Sequence, residues 1–358
     1  MDGVDCALIE SNGQRVKNIG TAVHLPYSPD VRREITHAMK NAELLGNPNL
    51  QNKNLNQLAT RLTNIHGQAI KEILSDNDLK PKDIDVVGFH GQTLLHRPEE
   101  GWSWQIGEGQ LLANMVNIPV VNDFRRQDIK CGGQGAPLVP IYHQALLKSQ
   151  VDQKYPTAVV NIGGVSNITW IDSHKEGEML AFDTGPGNAL LDDWIHKHTG
   201  EAMDFDGTLA ARGKIDHMLV NEWISNDYFT KAPPKSLDRR SFNVIGLENL
   251  SLEDGAATLL DFTVRTIQIA VEYCPSKPKY IYICGGGRHN KTLMTALGKM
   301  DIPIDTVEKL GWRGDFLEAE AFAFLACRHL LNLPITFPGT TATHRPATGG
   351  LLYKPQQG

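Results

Sequence analysis

At 358 residues, with 41% hydrophobic and 21% charged residues, the chain has a globular composition and the length of two ordinary domains. Its net charge of −6, with no long run of Lys or Arg, argues against a nucleic-acid surface, and no apolar stretch or leader pattern points to a membrane or to export. Cys6, Cys131, Cys274, Cys284 and Cys327 are scattered and form no CxxC pair, as expected of reduced cytoplasmic thiols.

Residues 4–9 read as a strand, with 21–25 as its neighbour. Pro29 and Asp30 open a helix that runs to about residue 40, and a second helix covers about 55–74. That second helix carries Leu55, Leu58, Leu62, Ile65, Ala69, Ile73 and Leu74 on one stripe. DVVGFHGQT and WSWQIG then read as strands, GQLLANMV as a helix and IPVVNDF as a strand. Such alternation predicts an α/β layer with parallel pairing. CGGQGAPLVP (131–140) reads as a crossover or hinge, so an N-terminal domain is expected over 1–130 and a C-terminal one over 131–340. TAVVNIGGVSNITWI reads as a hairpin around Gly163-Gly164. MLAF is a short buried strand that ends at Asp183, and a helix follows from Ala189. After a less regular stretch to residue 250 come a helix over about 254–271, YIYI with three glycines, and a long apolar-faced helix in DFLEAEAFAFLACRHLL. The turn-rich tail, 341–358, is expected to return to the N-terminal domain.

Asp183 sits where a strand gives way to Thr-Gly-Pro-Gly and then a helix, the usual side for ligand chemistry in α/β proteins. The same position suits an aspartate that merely caps its turn, and local sequence leaves both readings open. Gly163-Gly164, Gly185-Pro186-Gly187 and Gly285-Gly286-Gly287 each follow an apolar strand. Without Cβ atoms, their backbone N–H groups can close on a phosphate. Neither GxxxxGK[ST] nor a spaced GxGxxG is present, so a nucleotide site here is of another kind. HGQTLLH matches no zinc pattern, which leaves His90, His96 and His143 as ordinary hydrogen-bonding histidines. Gln92 and Thr93 suit a hydroxylated ligand or a bonded turn; Asp123, Arg125, Arg126 and Asp128 suit a surface ion-pair cluster. Glu318 and Glu320 are two apart on one helix and face different ways.

Taken together, nine segments resemble the anhydro-N-acetylmuramic acid kinases: MDGVD, GFHGQTLLHRP, IPVVNDFR, GGQGAPLVP, NIGGVSNIT, FDTGPGN, PPKS, CGGGRHN and EAEAFAFLA. They span the chain in family order. The resemblance implies an actin-like ATPase fold of the sugar kinase, Hsp70 and actin superfamily, α/β, with two ribonuclease-H-like halves and an interdomain cleft. It implies that ATP and Mg2+ are used to phosphorylate 1,6-anhydro-N-acetylmuramic acid at O6 while water opens the anhydro bridge. The products would be N-acetylmuramic acid 6-phosphate and ADP, in cytoplasmic cell-wall recycling by a homodimer, with no nucleic-acid or membrane partner. By the same resemblance Asp183 is the base, and Gly163, Gly164 and Asn167 form a phosphate loop. Gly285, Gly286 and Gly287 take the adenosine side. Asp2, Gly3 and Asp5 belong to the nucleotide site, with Asp2 or Asp5 orienting Mg2+; Gln92, Thr93, Arg125 and Glu318 contact the sugar. The family pattern also places a strand and a Gly-Thr-Ser turn ahead of MDGVD, which this sequence lacks, so the N-terminal sheet is expected to be short of its first strand. The rival readings are another small-molecule kinase of the superfamily and an ATP-binding chaperone-like protein.

Overall fold

The computed structural model describes residues 3–47, 52–150, 154–237 and 242–356; Asp2 lies outside them. It divides into two units, residues 1–149 with 316–358, and residues 150–315.

In the first unit, β1 (Gly3–Ser11) and β2 (Val16–Pro26) pair antiparallel. Helix α1 (Pro29–Leu45) starts where Ser28 caps the N–H of Val31 and stops at Gly46, which takes the left-handed conformation. Asn52 caps α2 (Lys53–Asp76), whose predicted stripe is buried at Leu55, Leu58, Leu62, Ala69, Ile73 and Leu74. The expected strand DVVGFHGQT is two strands, β3 (Val87–Phe89) and β4 (Gln92–Arg97), because Gly91 turns the chain at a φ of +72°. Next come β5 (Trp102–Ile106), antiparallel to β4, then α3 (Gly109–Val116) and β6 (Val120–Asn122), parallel to β3. Two short helices, α4 (Arg126–Lys130) and α5 (Pro140–Leu147), flank the Gly/Pro-rich segment.

That segment is not a boundary between units. Asp128 Oδ2 accepts the Gly135 N–H at 2.6 Å, and Gln134 N–H donates to the Thr341 carbonyl at 2.7 Å, so both sides of the loop belong to the first unit. The chain leaves this unit only after Ser149.

The second unit opens with β7 (Thr157–Ile162), β8 (Val165–Ile171) and β9 (Met179–Pro186), an antiparallel meander. Helices α6 (Ala189–Thr199), α7 (His217–Ile224) and α8 (Leu252–Glu272) follow, then β10 (Tyr280–Cys284), α9 (Lys291–Leu297) and β11 (Ile304–Thr306). Strand order is β11-β10-β7-β8-β9, with β10 and β11 parallel to β7. This is a complete ribonuclease-H-like sheet. Five of the six residues of β7 are buried, the near-continuous apolar pattern of a strand covered on both faces. Its core joins Val160, Ile162, Phe182, Trp194, Phe262, Ile267 and Ile283.

The chain then re-enters the first unit as α10 (Leu317–Leu330), α11 (Pro338–Thr341) and β12 (Leu351–Tyr353), which pairs antiparallel with β6. Helix α10 packs on β1, β3 and β6, which is why it does not continue the second unit. Where the second unit sets β7 between the antiparallel β8 and the parallel β10, the described residues of the first put no strand between β1 and β3. A cavity of about 520 Å3 lies there instead, lined by β1, β3 and α10 residues, among them Leu8, Val87 and Phe322.

Candidate active site

Asp183 stands inside β9, opposite Asn167 of β8, and the strand continues through Pro186. The turn expected at Gly-Pro-Gly comes later, at Gly187, because β8 and β9 stay paired as far as Val165 and Pro186. Among the bonds that hold Asp183 are three from beyond the strand. Its N–H donates to the Lys235 carbonyl at 2.9 Å, its own carbonyl accepts the Tyr228 hydroxyl at 2.5 Å, and its Oδ2 accepts the Leu237 N–H at 2.7 Å. The carboxylate is thus gripped by a segment 54 residues further along. Burial first, then the charge of Asp183, raises the Tyr228 phenol above its ordinary value, so the hydroxyl stays a donor.

Because β7, β9 and β10 run in the same direction, the glycine turns that follow them leave one edge of the sheet. Gly187 and Asn188 donate to the carbonyls of Gly164 and Gly163, at 3.0 and 2.7 Å, and lock the first turn to the second. A Cβ on Gly187 would run into the Gly163 carbonyl, and one on Gly285, at φ +76°, into the Asn161 side chain. Gly163, Gly164 and Gly286 differ. A Cβ on these would meet nothing nearer than 3.5, 3.6 and 3.8 Å respectively. The protein's own packing does not demand glycine there, which leaves room for a ligand to approach the backbone. Arg288, 8% exposed, braces the third turn. It donates to the Gly285 carbonyl at 2.9 Å and pairs with Glu308 at 2.8 Å and Asp315 at 2.6 Å.

In the first unit, Arg125 donates to His90 Nε2 at 3.1 and 2.9 Å and to the Gly135 carbonyl at 2.6 Å. Burial, then Arg125, pushes His90 down to about 3. The neutral ring accepts at Nε2, which assigns its proton to Nδ1, the donor to the Gly91 carbonyl at 2.9 Å. Gln92 and Thr93 are half-buried on β4; Gln92 donates to the Thr93 carbonyl, and Thr93 Oγ1 accepts from Gln105 at 3.2 Å. Glu318 remains open to solvent in the first turn of α10. Crowding by protein nevertheless raises its carboxyl, and Arg125 opposes the rise. Glu320 is fully buried and accepts the Tyr142 hydroxyl at 2.7 Å.

The surface cluster expected at 123–128 is only partly one. Asp123 and Arg126 pair at 2.8 Å, but Arg125 turns to His90 and Asp128 is fully buried among loop N–H groups and Thr341. Gly3 and Asp5 lie on β1, and Asp5 meets His24 at 2.7 Å. Sequence reasoning passed over Tyr228, Lys235 and Arg288, although PPKS and CGGGRHN contain two of them. Among the described residues no three His, Cys, Asp or Glu side chains converge as a metal-binding group. The donors at the glycine turns are backbone N–H groups, which suit phosphate oxygens rather than a cation.

A family model described as anhydro-N-acetylmuramic acid kinase matches residues 1–355. The chain is 43% identical over 357 residues to an anhydro-N-acetylmuramic acid kinase of Rhizorhabdus wittichii, covering 99% of this chain and 96% of that one. It is 46% identical to that of Rhodospirillum rubrum, covering 99% and 91%. Among solved structures, the activator of 2-hydroxyisocaproyl-CoA dehydratase from Clostridium difficile with bound ADPNP matches at a TM-score of 0.43 and 11% identity, over 90% of each chain.

Proposed function

We propose, from the premise that the chain belongs to the anhydro-N-acetylmuramic acid kinase family, that it transfers a phosphoryl group from ATP to 1,6-anhydro-N-acetylmuramic acid while water opens the anhydro bridge. The observation that carries the mechanism is the fixed carboxylate of Asp183, held by Leu237 on the strand beside the Gly163-Gly164 turn.

Asp183 takes a proton from water as the water oxygen bonds to the anomeric carbon. The C1–O6 bond breaks, O6 gains the electron pair, and it attacks the γ-phosphorus in line while ADP leaves. The product is N-acetylmuramic acid 6-phosphate. Phosphoryl transfer depends mainly on positioning and charge neutralisation. The N–H groups at Gly163, Gly164 and Gly285 to Gly287, with Asn167, are the groups of this chain that hold the nucleotide. Mg2+ would supply charge neutralisation on the phosphates and would arrive mainly with ATP, with Asp2 or Asp5 available to orient it. Asp2, Gly3 and Asp5 complete the nucleotide side. Gln92, Thr93, Arg125 and Glu318 take the sugar, and the neutral His90 steadies Arg125. The setting is cytoplasmic recycling of cell-wall sugar by a homodimer; family membership alone supports that part, and the mass in solution tests the dimer.

The test uses MgATP and the anhydro sugar in 18O-water. We expect a phosphorylated sugar carrying one 18O. Asp183→Asn should keep the fold and lose about 10²- to 10⁴-fold in turnover, the range of a positioned proton-transfer group. Turnover within a few-fold of wild type would remove Asp183 as the base, and ATP hydrolysis independent of sugar would favour a chaperone-like ATPase.

A further inference from the structure

The side chain that locks the grip on Asp183 is a lysine whose ammonium sits among backbone carbonyls and aromatic rings. Lys235 is 8% exposed, and among the described residues its ammonium forms no ion pair. It donates instead to two backbone carbonyls, those of Tyr228 and Lys231, each at 2.9 Å. Three rings surround it, with centroids at 4.6 Å for Tyr228, 4.6 Å for Tyr273 and 5.9 Å for Phe182. Carbonyl oxygens and ring faces both attract a cation.

Each of these partners leads back to Asp183. Phe182 precedes it on β9. The Tyr228 ring beneath the ammonium is the ring whose hydroxyl holds the Asp183 carbonyl. The backbone carbonyl of Lys235 takes the Asp183 N–H, and two residues on, Leu237 donates to the carboxylate. Tyr273 is itself fixed through its hydroxyl to the Phe229 carbonyl at 2.9 Å. One side chain therefore ties residues 228–231 to residues 235–237, the two stretches that hold Asp183.

From this geometry we infer that Lys235 is a positioning residue: its cationic head closes the 228–237 segment around Asp183 and keeps the Leu237 N–H on the carboxylate. It does not touch substrate. A neutral side chain of equal length would take the ammonium donor from the Lys231 carbonyl, leave the Tyr228 carbonyl only the longer bond from the Lys231 N–H at 3.3 Å, and release the segment. The importance of this grip for turnover rests on the base role given to Asp183 above; the grip itself does not. Among the described residues the charged and titratable groups that face Lys235 are Lys231, Tyr228 and Tyr273, and burial first, then Lys231, lowers its ammonium to about 8.

Two measurements on the full chain test the inference. The first follows amide hydrogen exchange at Leu237 and Asp183 by NMR in wild type, corrected for the intrinsic pH dependence of exchange. Protection should fall at least threefold between pH 7 and pH 9.5 as Lys235 loses its proton, while amides of β7 keep theirs. Protection that stays level across that range overturns the inference. The second compares Lys235→Met with wild type at pH 7. We expect at least tenfold lower protection at Leu237 and at least tenfold lower kcat, with KM for ATP within twofold. A folded Lys235→Met chain with wild-type protection and kcat overturns it. Lost protection combined with a fully active Asp183→Asn would leave the clamp standing and sink the base role instead.

Discussion

His90 and His143 are both held at about 3, His143 by burial and His90 by burial with Arg125. Unfolded histidine titrates near 6.5, roughly three units higher. The unfolded chain therefore binds these protons first as pH falls. Their stabilising contribution is complete above about pH 6.5 and is lost progressively toward pH 3. We expect the urea midpoint of the first unit to drop between pH 7 and pH 5, and His143→Gln to start lower but slope less; a midpoint independent of pH would refute this. Individual residues were legible where helical geometry decides the matter. Glu318 and Glu320, two apart, do face different ways, one open and one buried. Asp128 was not legible, because the group that meets it, Thr341, lies 213 residues away and no local pattern announces it.

At the scale of elements, the glycine turns separate into those that the fold requires and those that it does not. Gly187→Ala drives a Cβ into the Gly163 carbonyl, and neither backbone segment can yield without breaking the bonds between the two turns. Overpacking of this kind costs about 1–3 kcal/mol, or roughly 3–10 °C in Tm for a unit of this size. Gly286→Ala meets only Asn188 Nδ2 at 3.8 Å and should melt within about 1 °C of wild type. If the open space at Gly286 serves nucleotide, that variant should still raise KM for ATP severalfold; an unchanged KM would show the glycine to be incidental. Composition revealed that three turns were special and where each followed a strand. It did not reveal which glycine fills which role, since that depends on what a Cβ would strike across the sheet. Nor did it reveal β11, whose three residues, Ile304–Thr306, are too few for periodicity to register.

For the whole molecule, alternating strands and helices predicted α/β architecture correctly, and a Gly/Pro-rich stretch pointed to a boundary where there is none. Gly and Pro report local backbone demands; unit membership follows from which sheet a helix covers, and the apolar face of α10 does not name its sheet. Among the described residues the two units also differ in how their strands pair. The second has five continuous strands, with β7 paired on both sides. In the first, β1 pairs with β2 and β3 with β6, and a cavity of about 520 Å3 separates the two pairs. Backbone groups along such edges find water rather than a neighbouring strand, and side chains lining the cavity lack contacts on one side. The first unit should therefore open at lower denaturant than the second. Hydrogen exchange in increasing urea is expected to show β1 and β3 losing protection together before β7 and β10, with two resolved transitions. Loss of protection in all four strands at a single midpoint would mean that the gap in the first sheet costs the fold little.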